Sequence, residues 1–184
     1  MHFFDLVRTY DIKKSHLKAL KDLFDKTSDW EQHTFVTHDD KYISPNGENE
    51  LDICFDSPFE LSCDIGRDLI GRYFEEFPQS RSPAFSRIRL NRYTENALMD
   101  RHWDNIKTLF TGENRGTPIL SLVGLVNQPE EGGEFVMTIP DGDSSKFLVN
   151  EGEAVVFPST FIYSHEVLPV KKGVRDSFVA WTYN

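Results

Sequence analysis

The chain has 184 residues, of which 39% are hydrophobic and 27% are charged, and its formal net charge is −10. This length and composition are typical of one globular domain with a sizeable core. The negative charge argues against a general nucleic-acid binder, which needs a basic surface. It is compatible with basic peptides or small molecules as partners, and equally with plain solubility.

Two further features concern the compartment. The longest apolar run, near residues 120–126, is far too short to cross a membrane, and the first residues do not form a basic segment followed by a long apolar one. Cys54 and Cys63 are the only cysteines, so reduced thiols are expected. We therefore predict a cytoplasmic protein without membrane attachment or secretory signal; oligomeric state is not indicated.

The N-terminal part contains two helical patterns. Residues 11–29 predict an amphipathic helix, because apolar residues recur at near-helical spacing among charges. Residues 65–77 predict a second helix with one apolar stripe, and Pro78 ends it. The polar stretch between them, residues 33–60, is expected to form strand fragments and a mobile loop.

From residue 85 the pattern changes to short β-rich runs separated by Gly-rich turns. Many short strands punctuated in this way predict an antiparallel sandwich or barrel. Gly132-Gly133 predicts a tight turn into the next strand. The fold class expected is mainly β with flanking α-helices, in a single domain of residues 1–184. Residues 1–83 would supply helical support and substrate-side loops, and residues 84–184 the β-core. The runs are FSRIRLNRY, PILSLVGLVN, EFVMTI, KFLVN, EAVVFP, FIYSHEV and RDSFVAWTYN.

Two His-x-Asp triplets are candidate metal sites. The triplet at residues 38–40 lies in the polar stretch and is expected to be a solvated loop. The other, His102-Trp103-Asp104, lies between two strand-like runs at the edge of the β-core. On an extended segment, His102 and Asp104 face the same side and Trp103 the other. Iron(II) in oxygenases typically takes two histidines and one carboxylate on one face, so this triplet supplies two candidate ligands.

The third ligand and an anion-binding residue follow later in the chain. His165 is the only histidine after residue 104; taken alone it would more often be structural. Ten residues later comes Arg175, and on a strand Arg175, Ser177 and Trp181 face one side. An Arg inside a barrel is costly without an anion, and a guanidinium beside a hydroxyl suits a carboxylate. A surface salt bridge is the equally weighted alternative for this Arg.

Together these residues resemble the 2-oxoglutarate- and Fe(II)-dependent dioxygenases, particularly the prolyl 4-hydroxylase-like group, over about residues 84–183. The resemblance implies a double-stranded β-helix core, also called a jelly roll or cupin-like fold. It is carried by an ordered set of residues: Tyr93, His102-Trp103-Asp104, Gly132-Gly133-Glu134-Phe135, Gly152, Phe157-Pro158, His165, Pro169-Val170, Gly173, Arg175-Asp176-Ser177 and Trp181.

The resemblance also implies catalytic roles. His102, Asp104 and His165 would bind Fe(II), which 2-oxoglutarate would chelate. The far carboxylate of 2-oxoglutarate would bind Arg175 with help from Ser177.

Further side chains would complete the cosubstrate pocket. Tyr93 matches a position that often donates its hydroxyl to 2-oxoglutarate. Ser121, Val123 and Leu125 lie on the strand that usually lines the same pocket, although some relatives carry Tyr where Leu125 falls. Trp181 would form a wall of the pocket.

The implied reaction is hydroxylation of an unactivated C–H, with 2-oxoglutarate and O2 converted to succinate and CO2, and ascorbate as a candidate reductant. A prolyl or other residue in a peptide or protein is the family-level substrate. A free amino acid or other small molecule is the alternative, and a non-catalytic cupin-like binding protein is a third. Residues 29–60 and 79–85 are the candidate lid segments, and a substrate role for His38 stays open.

Overall fold

The computed structural model describes residues 3–36, 41–82, 84–105, 117–138 and 144–183. The triplet at residues 38–40 lies outside them. The described helices are α1 (Lys14–Lys26) and α2 (Phe59–Glu76). The described strands, in chain order, are β1 (Arg8–Asp11), β2 (Glu31–Gln32), β3 (Phe35–Val36), β4 (Tyr42–Ile43), β5 (Asp52–Cys54), β6 (Ala84–Phe85), β7 (Arg89–Tyr93), β8 (Met99–His102), β9 (Pro118–Asn127), β10 (Glu131–Gly132), β11 (Phe135–Thr138), β12 (Ser144–Lys146), β13 (Glu153–Pro158), β14 (Ser164–Val167), β15 (Val170–Lys172) and β16 (Arg175–Tyr183).

Most strands belong to two antiparallel sheets. The larger sheet has eight strands in the order β1-β13-β9-β16-β7-β5-β2, with β6 paired to β16. The smaller sheet has four strands in the order β12-β11-β14-β8. Two two-stranded sheets, β10 with β15 and β3 with β4, complete the described pairing. The prediction of a mainly β fold with flanking helices is confirmed.

The side chains of β16 alternate between the two faces of the larger sheet, and this sheet separates two hydrophobic cores. Phe178 and Ala180 pack with α1 and α2 in a helix-side cluster, whereas Val179 and Trp181 belong to the cluster between the two sheets. Successive side chains of a strand point to opposite faces, so one strand contributes to both layers. The result is three layers, with helices on the outside of the larger sheet and the smaller sheet over its inner face.

Both helices are confirmed, but their ends differ from the predicted ranges. Helix α1 is shorter than the predicted 11–29, and α2 begins at Phe59 instead of residue 65. The first turn of α2 is fixed by polar contacts, because Ser62 Oγ hydrogen-bonds to the Pro58 carbonyl at 3.1 Å and accepts the Ile88 amide at 3.3 Å. Such contacts leave no apolar stripe in the sequence.

The N-terminal part supplies strands as well as helices. β1 pairs with β13, and β5 pairs with β7, so this part extends the larger sheet at both edges. Residues 144–146 form β12, which stops before most of the predicted run KFLVN. No described helix is long and apolar enough to cross a membrane.

The glycine turn predicted before β11 is present. Gly132 and Gly133 have φ angles of +79° and +68°, in the left-handed region that favours glycine. A Cβ on Gly132 would lie 2.3 Å from the Pro169 carbonyl oxygen. The turn therefore needs glycine for both its backbone conformation and its close approach to the chain before β15.

Candidate active site

Three of the predicted metal ligands meet at one end of the space between the sheets. His102 is the last residue of β8, Asp104 follows two residues later, and His165 lies on β14 directly opposite His102. Their ligand atoms lie within 4.8 Å of one another. Asp104 Oδ1 is 3.4 Å from His102 Nε2, and Asp104 Oδ2 is 3.8 Å from His165 Nε2. Trp103 points away and is 46% exposed.

Backbone carbonyls fix the tautomer of both imidazoles. His102 Nδ1–H donates to the Asp100 carbonyl at 2.7 Å, and His165 Nδ1–H donates to the Tyr163 carbonyl at 3.1 Å. A carbonyl only accepts, so the proton of each neutral ring must lie on Nδ1. Both Nε2 lone pairs are therefore free and face Asp104, as metal-binding histidines require.

The carboxylate of Asp104 is oriented in a complementary way. Its Oδ2 accepts hydrogen bonds from Ser121 Oγ at 2.6 Å and from Trp181 Nε1 at 2.9 Å. Ser121 Oγ is in turn 2.9 Å from Ser159 Oγ. These donors leave Oδ1 as the oxygen available to a metal ion.

Electrostatics keep this set in its ligand form. Burial alone would raise the pKa of Asp104, but the nearby imidazoles and the Ser121 hydroxyl hold it well below its ordinary value. Burial, reinforced by His102, lowers the pKa of His165 to about 4 against the opposing effect of Asp104. At neutral pH the site thus offers an anionic oxygen and a neutral imidazole, the forms that bind metals.

The residues present fit an iron(II) ion. Two unprotonated Nε2 atoms and one carboxylate oxygen converge from one side, and hydrogen bonds orient each ligand. Two histidines and one carboxylate, with coordination positions left open, are the typical ligand set of non-haem iron(II) oxygenases. Within the described residues, this is the one group of three or more metal-binding side chains that are close enough to share an ion.

A buried guanidinium lies in the pocket next to these ligands. We call this space the pocket; its lining includes His102, Asp104 and His165 together with Arg175, Ser177 and Tyr93. Arg175 is 2% exposed, its Nη1 donates to Ser177 Oγ at 2.6 Å, and its Cζ lies 5.1 Å from the Tyr93 ring centroid. No ion-pair partner of Arg175 is present among the described residues. A ligand carboxylate would satisfy this cation.

The remaining predicted pocket residues occupy different places. Ser121 and Trp181 both hold Asp104, and Trp181 also lines the pocket. Val123 lines the pocket as well. Leu125 is buried in the core cluster between the sheets, opposite Ser177 in the β9–β16 register. Burial raises the pKa of Tyr93, which keeps its hydroxyl protonated and able to donate.

Two polar pocket residues were not singled out from the sequence. Arg89 and Asn91 lie on β7 and line the pocket. They lie two and four residues before Tyr93 on the same strand, so their side chains face the same side as that of Tyr93. This alternation is the signal that could have identified them. Nearby, His33 and Glu50 are buried, with His33 Nδ1 3.8 Å from Glu50 Oε2. Burial, together with Arg89 and His102, lowers the pKa of His33 to about 3.

Comparison with known families agrees with this geometry. Residues 88–183 match the family model described as the 2OG-Fe(II) oxygenase superfamily. The matched range contains all three candidate metal ligands, Arg175 and the whole pocket wall formed by β7, β9 and β16. The chain therefore belongs to the 2OG-Fe(II) oxygenase superfamily, whose members use Fe(II), 2-oxoglutarate and O2. This membership makes it an enzyme and argues against the non-catalytic binding protein.

Solved structures share the fold at low sequence identity. A Pseudomonas putida prolyl-4-hydroxylase is 19% identical, with a TM-score of 0.70, 97% of this chain covered and 92% of that one. A Trichoplax adhaerens prolyl hydroxylase in complex with a hypoxia inducible factor peptide fragment is 15% identical, with a TM-score of 0.71 and coverages of 96% and 83%.

A third neighbour, the viral collagen prolyl hydroxylase from Paramecium Bursaria Chlorella virus-1, is 15% identical, with a TM-score of 0.65 and coverages of 97% and 96%. These neighbours confirm the predicted double-stranded β-helix, or jelly-roll, fold. A search of curated protein sequences found no match.

Proposed function

We propose that this oxygenase hydroxylates an unactivated C–H of a prolyl or other residue in a peptide or protein, converting 2-oxoglutarate and O2 to succinate and CO2. The observation that carries the proposal is the combination, in one pocket, of the three oriented ligand atoms with the buried guanidinium of Arg175. When bound, the iron with its cosubstrates supplies the oxidising chemistry that places one oxygen atom on the substrate carbon.

The chain's own residues bind and orient. His102, Asp104 and His165 would hold the iron, and Ser121 would keep the Asp104 carboxylate turned so that Oδ1 faces it. Arg175 would hold the far carboxylate of 2-oxoglutarate.

Other pocket residues support that binding. Ser177 fixes the Arg175 guanidinium by its hydrogen bond, and the Tyr93 hydroxyl is available as a further donor to the cosubstrate. Trp181 walls the pocket beside Asp104. Leu125 packs next to Ser177 and would support this end of the pocket without a polar contact of its own.

The peptide or protein substrate rests on the described relatives and on charge. The three neighbours described above are prolyl hydroxylases, and one is in complex with a peptide fragment. The net charge of −10 favours a basic peptide over nucleic acid. Residues 29–60 would flank the substrate, since Phe35 in this segment lies 6.3 Å from His102 between ring centroids.

Localisation and reductant belong to the same proposal. Cys54 and Cys63 are both free thiols, which fits a reducing compartment such as the cytoplasm. Ascorbate would serve as an auxiliary reductant of the iron.

The first test is anaerobic addition of Fe(II) and then 2-oxoglutarate to metal-free protein, followed by visible spectroscopy. We expect the charge-transfer band of the chelated complex in the wild type and its loss in His102→Ala and Asp104→Ala. Circular dichroism of both variants checks that the fold is retained. Iron that binds without producing the band on addition of 2-oxoglutarate would contradict the proposal.

The second test identifies the substrate. Proline-containing peptides and free amino acids are screened for stimulated succinate formation, and products are analysed by mass spectrometry for a gain of one oxygen atom. Stimulation by peptides supports the proposal. Stimulation by free amino acids alone would instead favour the small-molecule hydroxylase.

A further inference from the structure

Arg89 is a second buried guanidinium in the pocket. It is 7% exposed, its Nε donates to Asn91 Oδ1 at 3.0 Å, and its Cζ lies 5.2 Å from the Trp181 ring centroid. No carboxylate of the described residues lies within ion-pair distance of it, and its Nη atoms make no described hydrogen bond. A buried cation without a partner is costly, so an anion from outside the chain is the expected partner of the Arg89 guanidinium in the pocket.

When iron and 2-oxoglutarate are bound, the positive charge of Arg89 is not balanced by a negative charge in the pocket. Iron(II) and Arg175 together carry three positive charges, and Asp104 with the two carboxylates of 2-oxoglutarate carries three negative ones. Arg89 is the one further charged side chain that lines the described pocket. Asp104 does not neutralise it by contact, because its Oδ2 is held by Ser121 and Trp181 and its Oδ1 faces the imidazole of His102.

The strand register places the two arginines at different levels. Arg175 is opposite Tyr93 in the β7–β16 pair, whereas Arg89 is opposite Val179. Four residues of antiparallel strand correspond to roughly 14 Å between these levels. Arg89 is thus on the side of Trp181, whose indole contacts Asp104, at the metal end of the pocket. A carboxylate group that is bound to Arg175 would therefore be too far from Arg89 to contact it. Arg89 stays available to bind a different carboxylate.

Resting on the 2-oxoglutarate-dependent C–H hydroxylation of the proposed function, whether its substrate is a peptide or a free amino acid, we propose that Arg89 binds a carboxylate of the residue or molecule that is hydroxylated. Asn91 holds Nε and the indole of Trp181 holds the plane of the guanidinium, so the edge formed by Nη1 and Nη2 is left to bind a carboxylate in bidentate fashion. The carboxylate is the α-carboxylate of a free amino acid or of the C-terminal residue of a peptide. The preferred peptide is then one in which the target residue is the last one.

The first experiment compares three pools of probes on the iron-loaded enzyme with 2-oxoglutarate: free amino acids including L-proline, peptides ending in a free carboxylate, and the same peptides with C-terminal amides. We expect one or both carboxylate pools to stimulate succinate formation, and the amidated pool to lose on the order of 100-fold in kcat/KM. Stimulation by free amino acids identifies the source as a small molecule, and stimulation by acid peptides alone identifies it as a C-terminus. Equal stimulation by the amidated pool, or none by either carboxylate pool, overturns the proposal.

The second experiment removes the guanidinium. Arg89→Gln is compared with Arg87→Gln, an exposed position two residues earlier. For the carboxylate substrate of the first experiment, we expect KM to rise about 100-fold in Arg89→Gln and to stay unchanged in Arg87→Gln. Arg89→Lys keeps the charge and should recover part of the loss. An unchanged KM in a folded Arg89→Gln enzyme contradicts the proposal.

A binding measurement separates this inference from the function it rests on. The anaerobic charge-transfer band reports the affinity for 2-oxoglutarate without turnover, and we expect the same affinity in wild type and Arg89→Gln. A weaker affinity for 2-oxoglutarate in Arg89→Gln would make Arg89 part of the cosubstrate site and overturn the inference. Absence of the band in the wild type would instead overturn the proposed function.

Discussion

The carboxylate of Asp104 depends on two donors, and the hydroxyl of Ser121 is the one that can be removed with least disturbance. In Ser121→Ala, the Trp181 indole is the one remaining donor to Oδ2 among the described residues. The carboxylate is then held less firmly, and Oδ1 is oriented less well toward the metal ion. Losing such an outer hydrogen bond typically weakens metal binding by about 10–100-fold. We expect this loss in an iron or cobalt titration of the variant.

Ser159→Ala is the matched control for Ser121→Ala. Ser159 Oγ contacts Ser121 Oγ at 2.9 Å but makes no described contact with Asp104. Its removal should change metal affinity much less. Equal losses in the two variants would mean that the serine pair acts through packing.

Arg175 is predicted to act on 2-oxoglutarate and not on iron. In Arg175→Ala, the far carboxylate would lose a bidentate partner, and we expect the Kd of 2-oxoglutarate to rise by about 100-fold. Iron affinity should remain close to that of the wild type, because Arg175 contacts none of the three ligands. Anaerobic titrations of iron and then 2-oxoglutarate measure both constants; equal loss of both would indicate a structural Arg.

The residues identified from sequence and those missed differ in kind. His102, Asp104 and Arg175 belong to an ordered set of residue types at characteristic spacings. Few other sites use this combination, so the sequence pattern could predict them. Arg89 and Asn91 lie in a run that is also typical of a strand with a solvated polar face. Only pairing with β16 turns that face inward: Arg89 lies opposite Val179 and Asn91 lies opposite Ser177. These partners are far away along the chain, so the sequence around β7 does not reveal the pairing.

Elements were predictable where the sequence contains a continuous apolar run and less so where polar contacts determine the element's end. The strands at residues 118–127 and 153–158 coincide with predicted apolar runs. The start of α2 does not, since hydrogen bonds of Ser62 fix its first turn. The predicted KFLVN strand is also largely absent: β12 ends at Lys146, and the side chain of Leu148 beyond it is 75% exposed.

The turn before β11 gives a stability prediction at the level of the element. Gly132→Ala forces a Cβ into the left-handed region and to 2.3 Å from the Pro169 carbonyl oxygen. Strain of this kind costs about 1–2 kcal/mol before any clash, so thermal unfolding should show Tm lower by about 5 °C or more.

Gly71→Ala is the control for that substitution. Gly71 lies inside α2, and an added Cβ would have no atom within 4 Å. An alanine there should stabilise the helix by about 1 kcal/mol and raise Tm by about 2–4 °C. A Gly132→Ala protein as stable as the wild type would show that the turn can adopt another conformation.

At the scale of the whole molecule, acid sensitivity should include a contribution from His33. Its folded pKa, about 3, is below its ordinary 6.5, so between these values the unfolded chain binds the extra proton. Stability from this group is therefore present above pH 6.5 and is lost as pH falls toward 3, by at most about 1.4 kcal/mol per pH unit. Urea unfolding of metal-free His33→Gln at pH 7, 6 and 5 should show a shallower loss than the wild type.

Glu50 is retained in both proteins of that comparison. Burial raises its pKa, which has the opposite sign: its contribution is present at acidic pH and is lost as pH rises through its folded pKa. The difference between wild type and variant therefore reports mainly His33. Parallel pH dependences in the two proteins would mean that the imidazole becomes protonated in the folded state.

The two faces of β16 restrict how the chain can change length. One residue inserted after Ser177 would turn every later side chain of the strand over, so that Phe178 would enter the pocket and Trp181 would leave Asp104 for the helix layer. Two inserted residues would restore the faces but carry Trp181 about 7 Å along the sheet. Insertions and deletions during divergence are therefore expected in the turns, while the six-residue interval from Arg175 to Trp181 keeps its length.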